Sequence, residues 1–251
     1  MLINSTIEKL RGLRLPGMIT ALEEQMRSPD AVTLAFEDRL GLMVDREETE
    51  RLNRRYQGRL RKARLREPAM VEDLNYSPGR GMDKSVMLSL AACVWIRQSQ
   101  HILITGPTGV GKTYAACALG HKACQLGFTV TFHRVGRLLR NLAIAKADGS
   151  YGEMMVDLVK TDLLILDDWG LAVMGPEDRE DFLELVEDRN GARSMIITSQ
   201  VPPEKWFDVV GEPTLGDAIL DRIMHRSHKI ALTGPSIRKE TSPLTGRSGT
   251  K

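Results

Sequence analysis

Apolar positions recur at helical spacing from residue 4 to residue 66, and then the rhythm changes. Ser5-Thr6-Ile7-Glu8 offers a helix N-cap, and Ile7, Leu10 and Leu13 follow on one face. Pro16-Gly17 interrupts this stripe, Ile19, Leu22 and Met26 resume it, and a third helix is expected from about 31 to 66. No β-type alternation occurs in this stretch, which predicts a small all-α domain. The segment EPAMVEDLNYSPGRGMD (67–83) holds two prolines and two glycines without a clear period and reads as a linker. KSVMLSLAACVWIRQ predicts one further helix. Beyond it, short apolar runs alternate with longer helical stretches: HILIT (101–105), FTVTF (128–132), DLLILD (162–167), SMIITS (194–199) and KIAL (229–232). Runs this apolar suit strands buried on both faces, and their alternation with helices predicts an α/β fold with a parallel sheet. The expected division is 1–68 helical, 69–240 α/β, and a polar, disordered tail at 241–251.

Composition excludes several classes. Hydrophobic residues make up 42% of the 251-residue chain and charged residues 27%, as in globular proteins. No apolar run approaches the ~18 residues of a membrane span, and MLINSTIEKLRGLRL has no apolar leader segment. Cys93, Cys117 and Cys124 lie in apolar helical contexts and show no metal-ligand spacing with the histidines. They are expected to be buried thiols of a cytoplasmic protein.

The net charge of +2 hides a pattern. Residues 1–50 carry six basic and ten acidic side chains, whereas 51–66, RLNRRYQGRLRKARLR, carry eight basic ones and no acid. On a helix, Leu52, Tyr56, Leu60 and Ala63 form one apolar stripe, and the cations cover most of the remaining circumference. Arg51, Arg54, Arg55, Arg59, Arg61, Lys62, Arg64 and Arg66 are therefore candidates for contact with the phosphates of double-stranded DNA. Tyr56 alone is too little aromatic surface for a single-strand stacking platform. Docking of this helix on the acidic 37–50 segment is the alternative. Arg134, Arg137 and Arg140 make a second basic set.

HILIT runs directly into Gly106-Pro107-Thr108-Gly109-Val110-Gly111-Lys112-Thr113, the G-x-x-x-x-G-K-[ST] phosphate loop. Its glycines let backbone N–H groups turn toward phosphate oxygens, and the following helix adds its positive end. Lys112 is expected to reach the outer phosphates of ATP and Thr113 to ligate Mg²⁺. No G-x-G-x-x-G dinucleotide fingerprint is present here. DLLILDDWG delivers a carboxylate from a buried strand to the same sheet edge: Asp167 for Mg²⁺, and Asp168 to orient and deprotonate the attacking water. If SMIITSQ inserts between these two strands, Ser199 or Gln200 at its end is placed to sense the γ-phosphate or to position the water.

These motifs resemble the AAA+ ATPases, and more closely the IstB-type helper ATPases of insertion-sequence transposition, which are related to DnaC-type helicase loaders. LRLPGM (13–18), EDRLGLMVDRE (37–47), the basic run, GPTGVGKT, LLILDDWG, TSQ and PTLGDAILDRIMHRSHKIAL all fit that pattern, so the resemblance spans almost the whole chain. It implies a sheet in the order 5-1-4-3-2, nucleotide bound between subunits of an ATP-dependent homo-oligomer, and an arginine supplied in trans. Arg222 matches that position, with Arg226 and Arg238 as alternatives. It also implies a cognate transposase as partner, duplex DNA as target, and no membrane. A helicase loader is the alternative function. Asp168 stands where most AAA+ proteins carry Glu, and Gln200 where many carry Asn. The shorter acid implies slow turnover and use as a switch. A small-molecule kinase would need an acceptor pocket and an arginine-bearing lid, for which the sequence gives no sign.

Overall fold

The computed structural model describes residues 2–237. The tail expected at 241–251, and Arg238, lie outside the described residues. The chain divides into two compact units between Gly58 and Arg59, ahead of the boundary expected at 68/69.

The first unit is helical, as its periodicity predicts. α1 (Leu2–Gly12) starts ahead of Ser5, so Ser5 lies inside the helix rather than capping it. α2 (Pro16–Arg27) opens on Pro16, whose missing N–H costs nothing at a first helical position. Glu47 caps it instead: one carboxylate oxygen accepts from the Gly17 and Met18 amides at 2.8 and 3.3 Å, and the other from Arg51 Nε at 2.7 Å. Burial pushes the Glu47 carboxyl upward, but these hydrogen bonds and the Arg51 charge outweigh it and leave the carboxyl below its ordinary range. Glu47 sits on α3 (Phe36–Ala63), which follows a 3-10 turn at Pro29–Thr33. α3 is shorter at both ends than the expected 31–66, and Arg64, in the left-handed region at φ 50, turns the chain out of it.

The last turn of α3 belongs to the second unit. There Ala63 is fully buried, and Arg59 Nε donates to the Cys124 carbonyl at 2.8 Å. The supposed linker is part of this unit. Ala69, Val71 and Leu74 are buried around a 3-10 turn at Val71–Asp73, so the aperiodic segment is a strap with its own apolar anchors. The single helix expected at 84–98 is two: α4 (Lys84–Ala91), capped by the Asp83 carboxylate, and α5 (Val94–Arg97). Cys93 separates them with φ 55 and is buried, as are Cys117 and Cys124.

Five parallel strands follow: β1 (His101–Thr105), β2 (Val130–Arg134), β3 (Leu163–Trp169), β4 (Ser194–Ser199) and β5 (Ser227–Ala231). β2 starts later than its apolar run because Thr129 bonds through N and Oγ1 to Asp162 at 2.9 and 2.7 Å, which closes the turn ahead of both strands. The sheet order is β2-β3-β4-β1-β5, the implied 5-1-4-3-2 read from the opposite edge, and every pairing is parallel. β1 and β4 are wholly buried, and β2 and β5, at the edges, are not.

Strand side chains alternate between faces. Leu103, Leu164, Leu166, Met195 and Ile197 enter one core with α7 (Val135–Asp148), α8 (Tyr151–Lys160), α9 (Pro176–Arg189), α10 (Trp206–Val210) and α11 (Pro213–Met224). On the other face lies α6 (Lys112–Gln125), where Gly120 approaches so closely that a Cβ would meet Ile165 Cδ1 at 2.7 Å. No helix among the described residues is long and apolar enough to cross a membrane.

Candidate functional site

The sheet order places β4 between β1 and β3, so the ends of these three strands converge on one edge. β1 passes into the glycine-rich loop at Gly106, whose φ of 146° and closeness to the chain after β5 both exclude a side chain; a Cβ there would meet the Leu232 carbonyl oxygen at 2.2 Å. The loop closes at Gly111, and α6 begins at Lys112. Lys112 is buried, and its Nζ donates to the Gly106 and Pro107 carbonyls at 2.8 Å each, so the amine lies folded over its own loop.

Thr113 and Asp167 meet, as their motifs require: Thr113 Oγ1 donates to Asp167 Oδ1 at 2.8 Å. A second hydroxyl, Thr198 Oγ1 on β4, donates to the same oxygen at 2.6 Å. Asp167 is fully buried and its Oδ2 has no hydrogen bond; the nearest cation is Arg66, with Nη1 at 3.7 Å. A threonine hydroxyl beside a carboxylate with one uncommitted oxygen suits Mg²⁺, which takes few protein ligands and keeps several waters.

Asp168 is set differently. β3 shifts register against β4 between Leu166 and Trp169, and Asp168 takes φ 64 within that irregularity. Its neighbours fix the turn. Asp167 is held by the two threonines, and Trp169 is fully buried against Phe182 and Trp206, with ring centroids at 4.8 and 5.5 Å. The Asp168 amide donates to Thr198 Oγ1 at 3.2 Å, and its part-exposed carboxylate lies 3.6 Å from Arg134 Nε. Of the polar pair at the end of β4, Gln200 reaches the phosphate loop: its Oε1 accepts from Thr108 Oγ1 at 2.6 Å. Ser199 is buried and donates to the Trp169 carbonyl, so it holds backbone instead. The phosphate loop, Thr113, Gln200, Asp168 and Arg66 line one cleft of about 630 Å³.

Within one chain Arg222 is occupied on α11: Nη2 pairs with Glu187 at 2.7 Å and Nη1 donates to the Ala218 carbonyl. Arg226 reaches the Gln98 carbonyl at 3.2 Å.

The basic run splits. Arg51 is tied to Glu47, while Arg54, Arg55, Arg61 and Lys62 are exposed. Arg59 is taken up by Cys124 and Arg66 by Asp167, so these two leave the cationic face expected of a continuous helix. The apolar stripe is not one seam either: Leu52 is 55% exposed and Ala63 is fully buried. Arg64 and Arg66 join Arg134, Arg137 and Arg140 around a second cleft of about 970 Å³, which also reaches Asp168.

Thr198, Arg66 and Arg134 were not among the residues assigned to this centre by motif. Thr198 carries a readable signal, a hydroxyl one position before the Ser199-Gln200 pair on a strand expected beside DLLILD. The arginines carry none, because their partners lie far along the chain.

A family model described as "IstB-like ATP binding protein" matches residues 8–245. The chain belongs to this family. An insertion sequence ATP-binding protein of Sinorhizobium fredii is 44% identical over 239 residues, which cover 95% of this chain and 98% of that protein. Another from Pseudomonas fluorescens is 47% identical over 203 residues, covering 80% and 88%. Among solved structures, the DnaC helicase loader superposes with a TM-score of 0.58 at 18% identity, over 66% of this chain and 97% of that one. DnaA from Aquifex aeolicus gives 0.57 at 21% identity, over 70% and 55%. These likenesses concern the fold: this chain shares the fold of those two proteins over about two thirds of its length.

Proposed function

We propose that this protein is an ATP-hydrolysing helper of insertion-sequence transposition, which assembles on duplex DNA in its ATP state and recruits or stimulates a transposase. The observation that carries the ATPase reading is the convergence of Thr113, Asp167, Asp168 and Gln200 at the mouth of the phosphate loop. Thr113 and Asp167 would hold Mg²⁺, which supplies charge neutralisation at the outer phosphates. Lys112 exchanges its two loop carbonyls for phosphate oxygens. Asp168, on leaving Arg134, orients and deprotonates the attacking water, and Gln200 senses the γ-phosphate. Arg222, on leaving Glu187, serves the neighbouring subunit's nucleotide, where its fork neutralises charge developing on the γ-phosphoryl group.

The transposition reading draws on relatives of 44 and 47% identity named for insertion sequences, whereas the likeness to a helicase loader stands at 18% and concerns the fold. The exposed cations Arg54, Arg55, Arg61 and Lys62 support contact with duplex phosphates. The roles separate in nucleotide binding and turnover. Lys112→Ala should lose ATP binding. Asp168→Asn should keep it and lose turnover about 100-fold or more, and Arg222→Ala should behave likewise only where subunits assemble. Wild-type turnover in Asp168→Asn would remove the carboxylate from the mechanism.

A further inference from the structure

The metal-side carboxylate already has a cation beside it. Asp167 is fully buried, and burying a carboxylate is costly unless its charge is met. Two threonine hydroxyls meet Oδ1, while Oδ2 faces the Arg66 guanidinium at 3.7 Å, inside ion-pair range and beyond hydrogen-bond reach. Among the described residues, the ion-pair partners of Arg66 are Asp167 and Glu67, both at 3.7 Å. Its side chain is 33% exposed and lines the same cleft as Lys112 and Thr113. It is held there by charge alone, and room for it to leave is at hand.

The position of Arg66 in the chain gives this contact a consequence. α3 carries the basic run to Ala63, and Arg64 then reverses the chain with φ 50. Arg59 fastens the end of α3 to the carbonyl of Cys124, near the end of α6, the helix whose first residues are Lys112 and Thr113. The stretch from Arg64 to Glu67 is therefore fixed on one side by α3 and on the other by the charge of Asp167.

We propose that Arg66 is a positioning residue that neutralises the free oxygen of Asp167 and yields it when nucleotide and metal enter together, moving onto the phosphates. This inference rests on the reading of Asp167 as the metal carboxylate. Arg66 and a divalent cation cannot both neutralise Oδ2 at close range, so one yields. The guanidinium, held without a hydrogen bond and next to incoming phosphate oxygens, is the one that moves. Its departure shifts the Arg64–Glu67 stretch, and so marks metal–nucleotide occupancy at the end of the basic helix.

The test measures binding of fluorescently labelled ADP to the full chain with Mg²⁺ and with EDTA, for wild type, Arg66→Ala, Arg66→Gln and Asp167→Ala, each checked for wild-type thermal unfolding. The readout is the ratio of the two dissociation constants, EDTA over Mg²⁺. With metal-free ADP, Arg66 stays on Asp167 and screens the phosphates from that carboxylate, so its loss weakens this state; with Mg²⁺, loss of the competing cation offsets the loss of a phosphate partner. Arg66→Ala should therefore raise the ratio about tenfold, the scale of one partly desolvated charge contact, and Arg66→Gln should do the same. An unchanged ratio in a folded Arg66 variant, with Asp167→Ala abolishing the Mg²⁺ effect, overturns the role of Arg66 and leaves the site reading intact. A Mg²⁺ effect that survives Asp167→Ala overturns the site reading, and this proposal with it. Hydrogen exchange gives an independent measurement: amides 64–67 should exchange faster in wild type with Mg²⁺–ADP than with metal-free ADP, and equal rates would contradict the movement.

Discussion

Asp168 pays about 1 kcal/mol for its left-handed backbone, which a non-glycine residue adopts only where its surroundings impose it. Here the imposition comes from Asp167 and Trp169, both fully buried on either side, so the strain sets the direction of one carboxylate. His101 shows the same dependence on surroundings through its charge. It is buried at the start of β1, and its Nδ1 accepts from the Met195 amide at 3.1 Å. Burial first, then the Arg189 and Arg226 charges, lower its pKa to about 4. The folded protein therefore binds fewer protons here than the unfolded chain between about pH 6.5 and 4. His101 should cost no stability above that window and on the order of 3 kcal/mol once pH has fallen through it. Urea unfolding at pH 7 and pH 4.5 should show a smaller acid loss in His101→Gln than in wild type; an equal loss would place the acid sensitivity elsewhere. The phosphate loop was legible from sequence because its chemistry lies in the backbone and in contiguous residues. Thr198 was legible only through its place beside Ser199-Gln200, and Arg66 and Arg134 were not legible, because register and chain reversal bring them to the carboxylates.

At the scale of elements, the strands were legible to within a few residues because buried parallel strands are nearly uniform in hydropathy. Their ends moved where side chains bond across the sheet edge, as Asp162 does with Thr129. The helix break at Cys93 has no sequence signature, since the left-handed residue is not glycine. The strap at 67–83 was hidden by its prolines and glycines, although Ala69, Val71 and Leu74 anchor it. Gly17 accounts for part of the LRLPGM motif within the first unit. A Cβ there would meet Glu47 Cα at 2.6 Å, backbone that cannot yield as a side chain can. Gly17→Ala should therefore separate α2 from α3 and weaken the Glu47 cap, at a cost of about 1–3 kcal/mol. Loss of helical signal at lower denaturant would be the sign; an unchanged midpoint would mean that the helices slide freely.

At the scale of the whole molecule, a chain of net charge +2 groups cations, among the described residues, on the exposed part of the basic helix and around the cleft of Arg134, Arg137 and Arg140. Neither patch is large, so single-copy binding to DNA phosphates should be weak and strongly salt-dependent, and an array of copies would multiply it. The central claim is that ATP state controls that array. Sedimentation of the full chain with a duplex of fixed length tests it directly, with a non-hydrolysable ATP analogue, with ADP and with no nucleotide. Particles carrying many copies per duplex should form with the analogue alone and should be absent for Lys112→Ala under the same conditions. Particles of the same mass in all three nucleotide states, or with Lys112→Ala, would contradict the account.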